Sequence, residues 1–478
     1  MVTAQNYEQK KQQALKEYAA LKENSFRQYA DFREKANEEF AEFMKKAWEG
    51  MPAHEAIPMP EKEPVVPPVV LEDIDVVIED IPIELEEIII IEEDLLKAPE
   101  PLSPIKAPIQ HLGSFAVDVF GVRYNLNYDG KALPELKASD ERSVSYFWKK
   151  LTKQGGLDGA IHDLLQYRNE QELGDWAYYE LVSTVGEQMS PNDKNRGTLL
   201  SFYMLCQSGF KVRIGRDAAG VFHMICATDS NIAQTPYWQI DGDRFFLVDK
   251  SGTLYMSVLN NPFPGESTLR LRSPGRNILP GTVSESRTIS SKKYPELTCS
   301  VQTNTAQVEL FDTYPVAFVG EDTKTRWYHY ALCPLSAESR NGLYPEIKKH
   351  IEGKTELESV EMILNLIQTG LEYEFDENIW GGDRTFFAEE TLFYPYCDCE
   401  DRSILFSRII RDVLGLKVAL IYYPGHLATA VRFSSEVKGD YISIGEDKYT
   451  VCDPTFINAP VGMTMTGMDN STAYAIVL

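Results

Sequence analysis

No apolar run of about eighteen residues occurs anywhere in the chain of 478 residues, so a hydrophobic helix of membrane-spanning length is not expected. Basic residues are also in short supply. Against 47 Lys and Arg stand 72 Asp and Glu, a net charge of -25, and the basic footprint that a phosphate backbone demands is missing. Nucleic acid is therefore not an expected partner. Cysteine is sparse and odd in number, seven in all, which rules out a disulfide scaffold and leaves at least one thiol unpaired within a monomer. The opening M-V-T-A-Q lacks the apolar core of a signal peptide, yet looks like the tail of a removed one with a methionine placed in front. The expectation from it is an exported protein, periplasmic or extracellular.

Proline and glycine are absent from residues 5–48, which are rich in Lys, Glu, Gln and Ala. There Tyr29, Phe32, Ala36, Phe40 and Phe43 recur at three- and four-residue steps, one face of a helix. Residues 1–51 thus read as an amphipathic helix that either packs on its own body or self-associates. Residues 52–109 hold eleven of the 26 prolines, and 61–94 carry thirteen Asp or Glu against one Lys. Proline removes backbone donors and favours extended chain, so this stretch reads as an acidic, Pro-rich linker, with the Ile-rich run 88–91 as a strand or a helical turn.

From about 110 a globular pattern begins, with helices expected near 143–153, 157–168, 175–185 and 199–208. Gly209 is placed to end the last of these. Strands are expected at Phe210–Ile214, Val221–Cys226 and Arg244–Val248. Residues 259–335 read as a β-rich bridge, with strands at Leu297–Val301, Gln307–Phe311 and Arg326–Leu332. A helix follows at Ser359–Leu371.

The chain repeats itself. Shifted by 206 residues, 193–212 falls on 399–418 without a gap and six of twenty positions agree, among them Arg196 with Arg402, Ser201 with Ser407 and Gly209 with Gly415. His223 precedes Asp249 by 26 residues and His426 precedes Asp453 by 27. Asp193 then falls where the second copy has Cys399. The reading is a duplication over 110–258 and 336–478, with a first copy that has no nucleophile and serves structure or substrate binding.

The second copy carries the chemistry. In Y-C-D-C-E-D-R-S, Cys399 lies where a helix with apolar Leu405, Ile409, Ile410 and Val413 begins. A helix start favours an anion, so the Cys399 thiol is expected to be lowered in pKa and made nucleophilic. Downstream, P-G-H-L-A-T-A-V delivers His426 at the head of a strand and C-D-P-T-F places Asp453 at the end of another. Such a trio lets the imidazole take the thiol proton and return it to a leaving amine, while the carboxylate orients the ring.

These three motifs, in this order, resemble the transglutaminase-like branch of the papain-type cysteine enzymes. The likeness is strong over 340–478, faint over 110–255 and absent before 110. It implies an α+β fold in which a Cys-bearing helix packs on an antiparallel sheet. It assigns Cys399 as nucleophile, His426 as base and Asp453 as orienting acid, with Asp401 capping the helix. An oxyanion donor is also implied, for which Trp380 and Tyr396 are candidates. The implied activity is thiol-dependent acyl transfer, chiefly hydrolysis of amide bonds in a peptide or protein, without a cofactor or metal. Three alternatives stay open: zinc on Cys397, Cys399, His426 and Cys452; a Cys397–Cys452 disulfide that leaves Cys399 free; and an inactive binding module on the same fold.

Overall fold

The stretch without proline or glycine folds as one long helix, α1 (Val2–Met44). The computed structural model describes residues 2–60, 65–72, 78–91, 98–102, 113–249 and 251–478. Among the described side chains of α1 the last turns are the buried ones: Ala36, Phe40, Ala41 and Met44 face the body, whereas Tyr29 and Phe32 are exposed along with Leu15, Tyr18 and Leu21. Asn37 anchors that end, accepting from Trp148 Nε1 at 2.9 Å and Gln207 Nε2 at 2.9 Å. Arg33 adds an ion pair to Asp158 at 2.7 Å. One end of the helix docks on its own body and the other projects.

The segment that follows is no free spacer. Its described residues form an extended strap along both halves, supplying β1 (Glu49–Pro52) and β2 (Glu87–Ile90) and, between them, isolated bridges such as Val70 to Ile457. Proline denies the strap a continuous ladder, but Val, Ile and Leu between the prolines still bury apolar surface, with Val66, Val69 and Leu71 packing on Phe456 and Met465. At its far end the Glu100 backbone crosses Gly209, where a Cβ would stand 1.8 Å from the Glu100 carbonyl oxygen, so only glycine fits there.

A hairpin, β3 (Ser114–Val119) and β4 (Val122–Asn127), precedes four helices: α2 (Glu141–Gln154), α3 (Asp158–Glu170), α4 (Asp175–Met189) and α5 (Lys194–Gln207). Then come β5 (Val212–Arg216), β6 (Phe222–Ala227), β7 (Asn231–Ile232), β8 (Tyr237–Ile240), β9 (Asp243–Phe246) and β10 (Tyr255–Val258). The bridge contains β11 (Arg287–Ser290), β12 (Thr298–Val301), α6 (Thr305–Phe311), β13 (Ala317–Phe318) and α7 (Tyr328–Leu332). It is less β-rich than its composition suggests. Gln307–Phe311 and Arg326–Leu332, expected as strands, are helical because Asn304 and Asp322 cap the preceding backbone N–H groups.

The second half opens with α8 (Ala337–Ile351), which the sequence reading did not anticipate, and α9 (Glu356–Gly370), started by a Thr355–Glu358 capping box. Then follow β14 (Glu372–Tyr373), α10 (Asp376–Ile379), α11 (Ala388–Phe393), β15 (Tyr396–Cys397) and α12 (Cys399–Ile409). The last strands are β16 (Lys417–Tyr423), β17 (His426–Arg432), β18 (Tyr441–Ile444), β19 (Asp447–Cys452) and β20 (Tyr474–Val477).

The fold is α+β, and its two six-stranded sheets share one topology. The first runs β8-β9-β6-β5-β10-β1 and the second β18-β19-β17-β16-β20-β2. In each, a helix leads into two antiparallel strands, a hairpin adds to the second of them, and the last strand returns beside the first. In each, the strap supplies the outermost strand. It pairs antiparallel in the first sheet (Glu49 with Val258) and parallel in the second (Glu87 with Tyr474). Among the described residues, no helix is long and apolar enough to cross a membrane.

Candidate active site around Cys399

Two carboxylates decide where α12 begins. Asp398 is its cap, with Oδ1 accepting the Glu400 N–H at 3.2 Å. Asp401 reaches back to accept the Asp398 N–H at 3.1 Å and also takes the Phe386 N–H at 2.8 Å. Asp401 is therefore a capping residue, as the family resemblance implies. Cys399 becomes the first helical residue, buried at 1% exposure.

Strand β17 carries His426. Pro424 and Gly425 close a two-residue turn, Gly425 at φ +76°, so that His426 pairs with Tyr423 at the head of the strand. Ser403 on α12 donates to the Leu427 carbonyl at 2.7 Å, tying helix to strand next to His426. The backbone N–H of Leu427 in turn points at the Cys399 thiol.

His426 Nε2 lies 2.8 Å from Asp453 Oδ2. The D-P-T-F turn explains how that carboxylate is held, because its other oxygen accepts the N–H groups of Thr455 (2.8 Å) and Phe456 (3.1 Å). Gln368 braces the same turn by donating to the carbonyls of Asp453, Phe456 and Ala459. With the ring proton on Nε2, the Nδ1 lone pair is the one left for chemistry. That nitrogen is buried and has no hydrogen-bond partner.

The expected activation of the thiol by the helix start is overturned. Burial, reinforced by the carboxylates of Asp398, Glu400 and Asp401, pushes the Cys399 thiol well above its ordinary value, and the Leu427 N–H only partly opposes this. The acids that cap the helix also cancel its positive end for any anion at position one. Burial and the neighbouring Asp383 and Asp376 raise Glu400 itself to about 7.

Neither oxyanion candidate is hydrogen-bonded to the thiol or the imidazole. Trp380 packs against Phe386 and Tyr394 with Arg384 over its face, Tyr396 is partly exposed, and no hydrogen bond links either to Cys399 or His426. Tyr373, which the sequence reading missed, is better placed. β14 and β15 pair in parallel with Tyr373 opposite Cys397, and the Tyr373 hydroxyl is buried and unpartnered. Burial first, then the nearby Cys399 and Asp398, raise its pKa far above the usual phenol value. No local motif marks it, since a pairing across 24 residues puts it there.

All seven cysteines are free, so the Cys397–Cys452 disulfide is not formed. Among the described residues, the groups that bring three potential ligand atoms within 4.8 Å are Asp398–Cys399–Glu400 and Asp376–Asp383–Glu400. The four zinc candidates Cys397, Cys399, His426 and Cys452 do not form such a group.

In the first half, Asp193 caps α5 by accepting the Arg196 N–H at 3.0 Å. That is the role of Asp398, so by helix phase the counterpart of Cys399 is Lys194 rather than Asp193. The gapless alignment hid this because a π turn at Ile410–Leu414 follows α12, and such a turn holds one extra residue. Strand register corrects the histidine as well. Val212 pairs with Cys226 as Val418 pairs with Val431. His223 is three residues before Cys226 and His426 five before Val431, so His223 sits two residues deeper on the same face. Asp249, three past Phe246, does match Asp453, three past Thr450. His223 Nδ1 still reaches Asp249 at 2.7 Å, while its Nε2 lies 3.2 Å from Asp217.

No protein-family model, curated protein or solved structure matches this chain.

Proposed function

We propose that this chain is a transglutaminase-like thiol enzyme that hydrolyses amide bonds of a peptide or protein, with Cys399 as nucleophile, His426 as base and Asp453 as orienting acid. The observation that carries this reading is the buried His426–Asp453 pair at 2.8 Å, whose free Nδ1 lies on the strand that turns its next N–H toward the thiol.

In this mechanism His426 Nδ1 takes the thiol proton as sulfur attacks the amide carbonyl. Asp453 steadies the resulting imidazolium. The Tyr373 hydroxyl donates to the oxyanion of the tetrahedral intermediate. Collapse expels the amine, which receives the proton from His426 and leaves an acyl-thioester. Water, deprotonated by His426, then releases the acid and restores the thiol. An amine in place of water would give transamidation. Because Cys399 and His426 are each 1% exposed, substrate entry requires the surrounding segments to part. Export and self-association through the projecting half of α1 belong to the same proposal.

The second reading, an inactive binding module, is favoured by one specific observation: the thiol is enclosed and destabilised as an anion by three carboxylates. Iodoacetamide labelling near neutral pH separates the two. Labelling concentrated on Cys399, and slowed by His426→Ala, is the expected result. Equal, slow labelling of all seven thiols would favour the binding module.

A further inference from the structure

Helix α1 carries an 11-residue repeat for which the active site has no use. Tyr18, Tyr29 and Phe40 fall eleven apart, as do Ala19, Ala30 and Ala41, and then Leu21, Phe32 and Phe43. The units Tyr18–Leu21, Tyr29–Phe32 and Phe40–Phe43 thus share an aromatic residue, an alanine and, two places on, a Leu or Phe. Eleven residues make three turns at about 3.67 each, close to the roughly 3.6 of an α-helix, so the repeated positions hold one stripe along it.

The last unit shows what this surface binds. Phe40 packs on Trp148 of α2 with ring centroids 5.0 Å apart, and Ala41 is fully buried. The small side chain of Ala41 lets α2 come close enough for Ser145 Oγ to donate to the Ala41 carbonyl at 2.6 Å. The partner there is a helix. In the two units before it, Tyr18, Leu21, Tyr29 and Phe32 are each at least half exposed, and Ala19 and Ala30 are exposed with them. A line of large apolar side chains left in water marks an interaction surface, here the unfilled form of a contact the same helix makes at its other end.

We propose that α1 pairs antiparallel with α1 of a second copy of this chain, through the stripe over residues 15–32. A partner that follows the stripe has to be a helix of the same 11-residue pitch, and a second copy supplies one. Charge selects the same occupant. Residues 11–35 hold six Lys or Arg and four Asp or Glu, a net of +2 in a chain of -25, so the rest carries -27. Two bodies so acidic repel, whereas two such helices, with both signs on their flanks, can lie together. Antiparallel pairing keeps the bodies at opposite ends of residues 11–35, about 36 Å apart at about 1.5 Å per residue, several times the Debye length of about 10 Å at roughly 0.1 M salt. It also sets residues 11–22, with three Lys to one Glu, on the half of the other copy that carries Asp31 and Glu34. In that half Arg33 and Lys35 are turned to Asp158 and Glu39 of their own chain. Surface, partner and direction are thereby given to the self-association proposed above, and the acyl-transfer chemistry plays no part in them.

Sedimentation velocity of the full chain over a concentration series is expected to show a monomer–dimer equilibrium. Leu21→Glu combined with Phe32→Glu, both at exposed positions, should raise the dissociation constant about a hundredfold and leave the melting transition of the body in place. Asn24→Glu, off the stripe, should leave the equilibrium unchanged. A short amine-reactive crosslinker reads the direction. Lys11 and Lys35 are about 36 Å apart within one helix, so a Lys11–Lys35 crosslink in the dimer forms between antiparallel copies, and it is the expected product. Lys11–Lys11 crosslinks would leave self-association standing and overturn the antiparallel pairing. A chain that stays monomeric throughout would overturn both, and a dimer that the double substitution leaves intact would overturn the stripe as its interface. Binding of a monomeric chain to vesicles of phosphatidylserine and phosphatidylcholine would assign the stripe to a membrane surface and overturn the pairing as well. None of these readouts depends on Cys399, so the enzymatic reading stands or falls separately.

Discussion

The two sheets each present a histidine near the head of the second strand, and the two imidazoles are held in opposite ways. His223 has a carboxylate on both ring nitrogens, Asp249 and Asp217, with Ser251 and Thr253 hydroxyls 3.3 Å away. Those partners hold its pKa above the ordinary value, which favours the imidazolium. A ring with a carboxylate at both nitrogens has no open lone pair with which to collect a proton, so this arrangement braces the β5–β6 turn. His426 has one carboxylate and leaves its other nitrogen without a partner. A single ring nitrogen, satisfied or left open, separates a structural brace from a candidate base on otherwise matching topology.

The sharpest way to break this comparison is to remove each ring in turn. His426→Ala should slow alkylation of Cys399 by roughly a hundredfold, the scale of general-base assistance, whereas His223→Ala should leave it within about a factor of two. Similar effects from both, measured by mass spectrometry of the labelled peptides, would end the distinction.

Stability should answer the other way for the first half. Deleting His223 leaves Asp217 and Asp249 facing one another without their shared cation, and a loss of about 2 kcal/mol is expected in urea unfolding. Tyr373→Phe sharpens the second half instead. It should lower the rate of acyl-enzyme formation with an activated ester about tenfold. Stability should not fall, because the hydroxyl removed is buried without a partner.

The smallest effect is a pH dependence. Because its folded pKa is raised, the contribution of His223 is fully present below the unfolded value of about 6.5 and is lost as pH rises through the folded value. Melting temperature followed upward from pH 6 should therefore decline more steeply in the parent than in His223→Gln. Parallel profiles would show that the ring is not charged in the folded state.

Much of this was legible residue by residue. The helices over 141–154 and 356–370 follow from apolar spacing and capping residues, and that over 158–170 from spacing alone, all local properties. The hairpin strands of the second half follow from alternation and a turn at Pro424–Gly425. The trio Cys399, His426 and Asp453 was readable because each sits at a punctuation mark of the fold: a helix cap, a two-residue turn and an Asx turn. The strap was misread because composition reports what a segment cannot do alone and is silent on the sheet edges it can join. The strands expected at Gln307–Phe311 and Arg326–Leu332 failed for a related reason: β propensity is weak beside a side chain that caps a backbone N–H.

By itself, then, the sequence determined the order of helix, strands and hairpin in each half, the residue types of the candidate site and the acidity of the whole. Tertiary structure decided the environment of each. Helix phase and strand register set aside the apparent matches of Asp193 with Cys399 and of His223 with His426. Burial among carboxylates reversed the expected effect of the helix start on Cys399. Tyr373 came to the site through strand pairing, and Asp376 and Asp383 were brought to Glu400 across the chain. Local pattern is a property of neighbours in sequence, whereas charge, desolvation and register depend on neighbours in space, and it is these that govern the chemistry available to Cys399.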